Sequence, residues 1–394
     1  MLWSPALTFV NAAIIGTGPQ LARTLRIKNG RIDGVDVAPD RRDVVVDLDG
    51  SFLFPGLINA HDHLELNSQP RLKWRGRYSN ASEWIADFQP RFASDPDLAV
   101  TRSGTLAERL WVGGLKNLLS GVTTVCHHNP LHRPLRRRFP VKVVRQFGFS
   151  HSLHIDGDAA AASHRATPAE WPWMIHAAEG VDAAAQGEVV RLQQLGCLAG
   201  NTVLIHGVAL CAAAAERVLD AGAGLVWCPS SNQFLFGVTA DVRAFDDADR
   251  LALGSDSRLS GVGDLLDELQ AAHATHQLSA EGLCRTVLAG AARLLRLPAA
   301  GRLAPGLPAD LTIIKPTESG PYDALVSACR TDIRLTMMDG RACVGEPGLR
   351  GVFDATGVSA MPAVLDTTPR LIARWMGKHV QQMQLQEPGF VVSH

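Results

Sequence analysis

An excess of charge of either sign is missing from this chain. Lys and Arg number 38 against 39 Asp and Glu in 394 residues, a formal net charge of -1. A basic nucleic-acid binder and an acidic solvating tail are both excluded on that balance. Cysteine is sparse and unpatterned: Cys126, Cys197, Cys211, Cys228, Cys284, Cys329 and Cys343 are seven in number, widely spaced, with no Cys-x-x-Cys. That argues against a disulfide framework and against a cysteine-based zinc knot. No apolar run reaches the roughly 18 residues of a membrane span. No Lys or Arg precedes Arg23, so the basic start of a secretory signal is lacking. The expectation is a reduced, soluble, cytoplasmic protein with no membrane or nucleic-acid partner. Tyrosine is scarce too, at two residues, whereas histidine reaches fourteen. Histidine is the commonest metal ligand and a near-neutral proton carrier, so its placement should reveal the chemistry.

At 46% hydrophobic and 20% charged, the chain is globular in composition. Residues 1–52 read as short strands and turns, with an Asn29-Gly30 hairpin signal and an alternating Val44–Leu48. From 53 to 298, apolar runs alternate with helical stretches. The runs are 53–60, 122–126, 143–149, 173–177, 202–205, 224–228 and 251–255; the helices include Val181–Leu195, Cys211–Ala221 and Gly263–Thr275. Near-continuous apolar strands between helices predict a parallel sheet buried on both faces. A polar residue or histidine closes nearly every strand, which in a (β/α)8 barrel is the catalytic end. Residues 299–348 return to strands around an Asp339-Gly340 hairpin and could pair with 1–52 in a small β-sandwich built from both chain ends. Residues 349–394 are expected to form a helical tail, with Pro369–Gln386 as its helix. That helix should pack on its own barrel, a homodimer contact being the second reading.

His61 and His63 end the first barrel strand, and side chains at i and i+2 of a strand point to one side. An isolated His-x-His is usually a pair of solvated loop residues. Here His176 ends the strand 173–175, His206 ends 202–205, Asp256 follows 251–253, and Glu179 lies three residues beyond His176. Buried imidazole and carboxylate need partners, and one shared metal supplies a partner for all of them.

The segments Phe54-Pro55-Gly56-Leu57-Ile58-Asn59-Ala60-His61-Asp62-His63, Gly121-Val122-Thr123-Thr124-Val125, His176-Ala177-Ala178-Glu179, His206-Gly207, Cys228-Pro229-Ser230-Ser231-Asn232 and Gly254-Ser255-Asp256-Ser257 resemble the amidohydrolase superfamily. The His-x-x-Glu pattern is similar to its mononuclear branch of guanine, cytosine and S-adenosylhomocysteine deaminases and triazine hydrolases. The resemblance implies a TIM-like α/β barrel and one divalent metal, zinc first and iron second, held by His61, His63, His176 and Asp256. It further implies a water activated at the open metal position, with His206 orienting it, Asp256 accepting its proton and Glu179 acting as the acid on a ring nitrogen. The implied activity is deamination of a small N-heterocycle or amidine-like molecule, a C–N hydrolysis outside peptide bonds. Displacement of chloride or an amine from a triazine-like ring, or opening of a cyclic amide, would use the same residues, and a non-catalytic ligand-binding barrel is a distant alternative. The binuclear arrangement, which needs a bridging lysine on the fourth strand, is disfavoured because no lysine lies between Lys142 and Lys315.

Between Arg145 and His176 there is little room for a strand, a helix and another strand, since a parallel crossover takes a dozen or more residues. Distortion is therefore expected around residues 151–171, with His151–Ile155 a degenerate strand at best. The substrate-facing candidates are Trp74 and Arg75 in the segment arching over the pocket, His127 and His128 after the second strand, Arg145 and His151 near the third, and Asn232 after the run 224–228.

Overall fold

A computed structural model describes residues 6–18, 21–92, 94–98 and 104–393. Met1–Pro5, Val100 at the end of the arching segment, and His394 lie outside the described residues.

Tight turns set up two sheets outside the barrel, a four-stranded one from residues 7–47 and an eight-stranded one made by both chain ends. Asn29 and Gly30 both take positive φ (51° and 79°), as do Asp339 and Gly340 (49° and 68°). This is the backbone twist that two-residue hairpins require. The first turn joins Leu25–Lys28 to Arg31–Val35, the second Ile333–Met338 to Arg341–Gly345. Phe52–Pro55 lies antiparallel to Leu311–Ile314, with Leu53 opposite Ile313, so both chain ends share one eight-stranded sheet. The run 53–60 is thus two strands: the barrel strand starts only at Leu57, after Gly56. Apolar faces of both sheets and of helix Leu106–Leu119 close one core, including Phe9, Leu25, Leu118, Ile313 and Phe353. Each such side chain contributes about 1.5–3 kcal/mol by leaving water.

Residues 349–394 depart from the expected helical tail. Ala360–Leu365 and Thr368–Ala373 form a hairpin, Phe390–Val392 adds a further strand, and only Arg374–Val380 between them is an α-helix. The apolar residues spaced for a helix are claimed by an open sheet edge, where backbone pairing outweighs local propensity. No helix among the described residues is long and apolar enough to cross a membrane.

The parallel strands are β1 (Leu57–Asp62), β2 (Val122–His127), β3 (Lys142–Val143), β4 (Gly148–Ser152), β5 (Trp173–Ala177), β6 (Thr202–His206), β7 (Gly224–Trp227) and β8 (Leu251–Leu253). They form two arcs, β1-β2-β3 and β4-β5-β6-β7-β8. The arcs meet on one side where Asp256 N–H donates to the His61 carbonyl at 3.1 Å. Gly254 permits that approach, since a Cβ there would lie 2.6 Å from His61 Cβ. On the other side, only Val144–Phe147 connect β3 to β4. Four residues cannot hold a crossover helix, so the run 143–149 is two short strands that pair with different neighbours, β3 with β2 and β4 with β5. His151 is the penultimate residue of β4, and Leu153–Asp156 is a helical turn, not a strand. Inward-facing Ile58, Ala60, Cys126, Met174, Val203, Ile205, Val226 and Ala252 fill the barrel below the strand ends.

Candidate metal centre

Strand alternation delivers the histidines, with one correction to phase. Ile58 and Ala60 face the barrel interior, which would send His61 outward. The β1–β2 register shifts between Asn59 and Asp62, and this bulge re-aims the chain so that His61 and His63 both face inward. Asp62 then faces the helix Leu106–Leu119. On β5, Met174 and His176 alternate inward in step. At the ends of β6 and β8, His206 and Asp256 take positive φ (76° and 52°), as does Ala178 after β5 (53°). Each such left-handed residue costs about 1–3 kcal/mol and persists only where its surroundings hold it.

The result is a knot of nitrogens. His176 Nε2 lies 3.3 Å from both His61 Nε2 and His63 Nε2. The Asp256 Oδ1 stands 3.8 Å from His61 Nε2 and 3.9 Å from His63 Nε2. His176 Nδ1 donates to the His151 carbonyl at 2.7 Å, so its Nε2 carries a bare lone pair. One lone pair can accept one proton, so hydrogen bonding cannot satisfy both close contacts. Two nitrogens held about 2.0–2.1 Å from one tetrahedral cation are roughly 3.3–3.4 Å apart. The residues therefore fit a divalent metal. Burial holds His61 and His176 well below the usual imidazole range, helped by neighbouring imidazoles, which keeps them neutral as ligands must be.

The carboxylates around the knot are driven apart. Burial pushes Glu179 well above the usual range, with Asp256 and then Glu188 adding to it. Burial acts on Asp256 in the same direction. There, however, His63 and His206, the Ser257 N–H (2.7 Å) and the Ser231 hydroxyl (2.9 Å) outweigh it, and the carboxylate is held low. A neutral acid beside an ionised base is what proton transfer in both directions requires. His206 Nδ1 donates to Asn232 Oδ1 at 2.9 Å, which turns its Nε2 toward Glu179 Oε1, 3.5 Å away.

Behind β1 lies a second buried cluster. Lys116, fully buried, sits 3.0 Å from Asp62 Oδ2 and donates to Ser255 Oγ at 3.0 Å and the Asp256 carbonyl at 3.1 Å. Asn117 and Asn67 donate to the two oxygens of Asp62 at 2.7 and 2.8 Å, while Asn59 bridges Asn117 and Ser255. The ammonium thus grips the left-handed backbone of Asp256. Sequence reasoning missed this cluster. Its signal was Lys116-Asn117 inside the apolar helix stretch Leu110–Leu119, with Asp62 between two histidines.

A chamber of about 140 Å³ lies against His63, His151, His176, Glu179, His206 and Asp256. A cavity of about 790 Å³ shares His151, His176 and Glu179 with it and adds Asn80, His154 and Glu188. Of the substrate-facing candidates, only His151 lines these spaces. Asn232 is buried and positions His206. His127 accepts the Leu64 N–H at 3.3 Å and His128 donates to the Ser150 carbonyl at 3.0 Å, both beneath the chamber. Trp74 packs near Phe88 and Arg91, and Arg75 pairs with Asp87 and Glu83 on the outside of the arching segment. Arg145 lines a separate cavity of about 520 Å³ with Lys142, Trp171 and Pro298. It falls there because it precedes β4 instead of ending a third strand.

With this geometry in hand, known proteins give a direct comparison: residues 150–343 match the amidohydrolase family. That stretch runs from the end of β4 through the rest of the barrel into the eight-stranded sheet. It carries His176, Glu179, His206 and Asp256, while the His61/His63 pair joins it through the barrel. A 5-methylthioadenosine/S-adenosylhomocysteine deaminase of Halobacterium salinarum is 26% identical over 360 residues, covering 76% of this chain and 82% of its own. An 8-oxoguanine deaminase of Pseudomonas aeruginosa is 32% identical over 146 residues, 34% of this chain and 32% of its own. The zinc-complexed atrazine chlorohydrolase of Arthrobacter aurescens superposes with a TM-score of 0.70 at 18% identity, covering 89% of this chain and 99% of its own. The chain thus has the fold of the barrel amidohydrolases, and the four-histidine cluster His61, His63, His128 and His176 is one that suits a divalent cation.

Proposed function

We propose that this chain is a metal-dependent aminohydrolase that deaminates a small N-heterocyclic or amidine-like molecule. The observation that carries the reading is the convergence of three Nε2 atoms, two contacts at 3.3 Å, beside the Asp256 carboxylate and with Glu179 opposite, its carboxyl pushed well above the usual range by burial. His61, His63, His176 and Asp256 would hold zinc or ferrous iron, and the cation, when bound, supplies Lewis-acid activation of water. The chain's own groups do the rest. Glu179 gives its proton to a ring nitrogen while the adjacent carbon takes up the oxygen of water. Asp256, backed by Ser231 and Ser260 hydroxyls at 2.9 and 2.8 Å, accepts the proton that water gives up. His206, locked by Asn232, orients that water. Asp256 passes its proton to the amino group, which leaves as ammonia, and the hydroxyl proton returns to Glu179 as the ring carbon becomes a carbonyl. The arching segment and the 790 Å³ cavity give room for one planar ring with a substituent, within the usual size of small-molecule sites.

The test is an ammonia-release screen over purines, pyrimidines, pterins and triazines with the metal-loaded protein, repeated with Glu179→Gln. The expected result is release from one class and a fall of about 10²–10⁴-fold in the variant at unchanged metal content. Turnover without ammonia would move the reading to a ring-opening or chloride-displacing hydrolase. A fully active Glu179→Gln would remove that residue from the chemistry.

A further inference from the structure

Seven histidines crowd this end of the barrel, and four of them have been given work. His128 has not. It follows the last residue of β2 and is completely buried. Its backbone N–H donates to the Asp62 carbonyl at 3.0 Å, which ties it to the strand carrying His61 and His63. Its Nε2 lies 3.0 Å from the Ser150 carbonyl. A carbonyl only accepts, so that nitrogen carries the proton and Nδ1 is left as a bare lone pair. Nδ1 is buried and has no hydrogen-bond partner.

Three observations say what that lone pair serves. One nitrogen from each of His61, His63, His128 and His176 lies within 4.8 Å of the others. The His128 ring is stacked on His176, with centroids 4.4 Å apart and planes 16° apart, so the two imidazoles are presented side by side. Finally, His128 does not line the chamber, so a substrate in that chamber does not reach it. Its neighbour His127 also keeps one buried nitrogen, Nε2, without a partner, but it is not among the four histidines whose nitrogens gather within 4.8 Å of one another.

We propose that His128 is a further protein donor to the metal, entering through Nδ1 from the second strand. The proposal rests on the metal site argued above. Ligands on opposite sides of one cation are about 4.2 Å apart, so a side-chain adjustment of under about 1 Å brings all four nitrogens onto it. Four imidazoles and the Asp256 carboxylate make five protein donors, leaving one position for water. Such a site favours ions that accept five or six ligands, such as ferrous iron, cobalt or nickel, over tetrahedral zinc.

The experiment uses the full chain stripped by chelation and reloaded with Co(II). Visible absorption reports coordination number, since four-coordinate cobalt absorbs strongly and six-coordinate cobalt weakly. Competition with a chromophoric chelator gives Kd. Two variants separate the two ring nitrogens. His128→Gln retains a donor for the Ser150 carbonyl and loses the acceptor at the δ position; His128→Asn retains an acceptor at the δ position and loses the donor. Expected is a 10–100-fold weaker Kd and a more intense band in His128→Gln, with His128→Asn within a few-fold of the parent. The reverse ranking would make His128 a tether for β4, and indistinguishable spectra and Kd values in all three folded proteins would give it no metal role. Either result overturns the proposal and leaves the metal site standing. Failure of the parent to bind Co(II), or undiminished binding by His61→Ala, would instead overturn the site itself and His128 with it.

Discussion

Two buried polar clusters stand back to back across the first barrel strand, and they are built on opposite rules. Behind it, every group is paired. The three ammonium protons of Lys116 have Asp62, Ser255 and the Asp256 carbonyl as acceptors, and both Asp62 oxygens are occupied. In front of it, the Nδ1 atoms of His61 and His128 have no partner, and the single lone pair of His176 Nε2 meets two imidazole nitrogens at 3.3 Å each. Native proteins rarely leave buried polar atoms unpaired. Full pairing behind the strand and two unpartnered imidazole nitrogens in front of it therefore separate a cluster that serves the fold from one that serves a ligand.

The largest effect should come from breaking the paired cluster. Lys116→Met leaves the Asp62 carboxylate buried without its cation, which typically costs about 3–5 kcal/mol. Urea unfolding of the metal-free protein measures this, and Lys116→Met combined with Asp62→Asn should recover a large part of it. A loss under about 1 kcal/mol in the single variant would mean that Asp62 is relieved some other way. In that case the cluster does not hold the Asp256 backbone.

The unpaired cluster should respond in the opposite sense. His61→Ala removes an imidazole whose Nδ1 has no partner and whose Nε2 meets only another imidazole, so the metal-free protein should lose little stability. Its sensitivity to metal should go. For the parent, a ligand at 100 times its Kd adds about 2.7 kcal/mol, so chelation should lower Tm and zinc or cobalt restore it. Equal melting of the parent with and without metal would contradict the reading of the front cluster.

The same division explains what the sequence discloses. His61, His63, His176, His206 and Asp256 are legible because each closes an apolar strand, and strand ends of a parallel barrel converge. Glu179 is legible by its offset from His176. Lys116, Asn117 and Asn59 are not, because their partners lie as far as 196 positions away in Ser255 and no local period records such pairings. Arg145 and the tail hairpin fail for a related reason. The reach of β3 and the claim of a sheet edge on Thr368–Ala373 depend on neighbours remote in sequence. His127 and His128, adjacent in sequence, are separated only by which nitrogen finds a backbone partner.

The smallest effect is a slope, and it sits where the clusters touch. Glu268, fully buried, accepts the Ser230 N–H at 2.9 Å and the Ser230 hydroxyl, whose neighbour Ser231 bonds to Asp256. Burial pushes its carboxyl up to about 8; the Ser230 bonds and Lys116 oppose this while Asp256 adds to it. The folded protein then keeps a proton that the unfolded chain releases near pH 4.5. Between about pH 4.5 and 8 the native state binds more protons than the unfolded one, so this group's contribution to stability falls as pH rises. Glu268→Gln removes the titration while keeping the shape. In metal-free protein, stability against pH should be flatter for the variant across that window, and the two curves should run parallel above it. Parallel curves throughout would mean that Glu268 is ionised in the fold. The front cluster would then face an additional buried negative charge, and Asp256 would have to share the support of Lys116 with it.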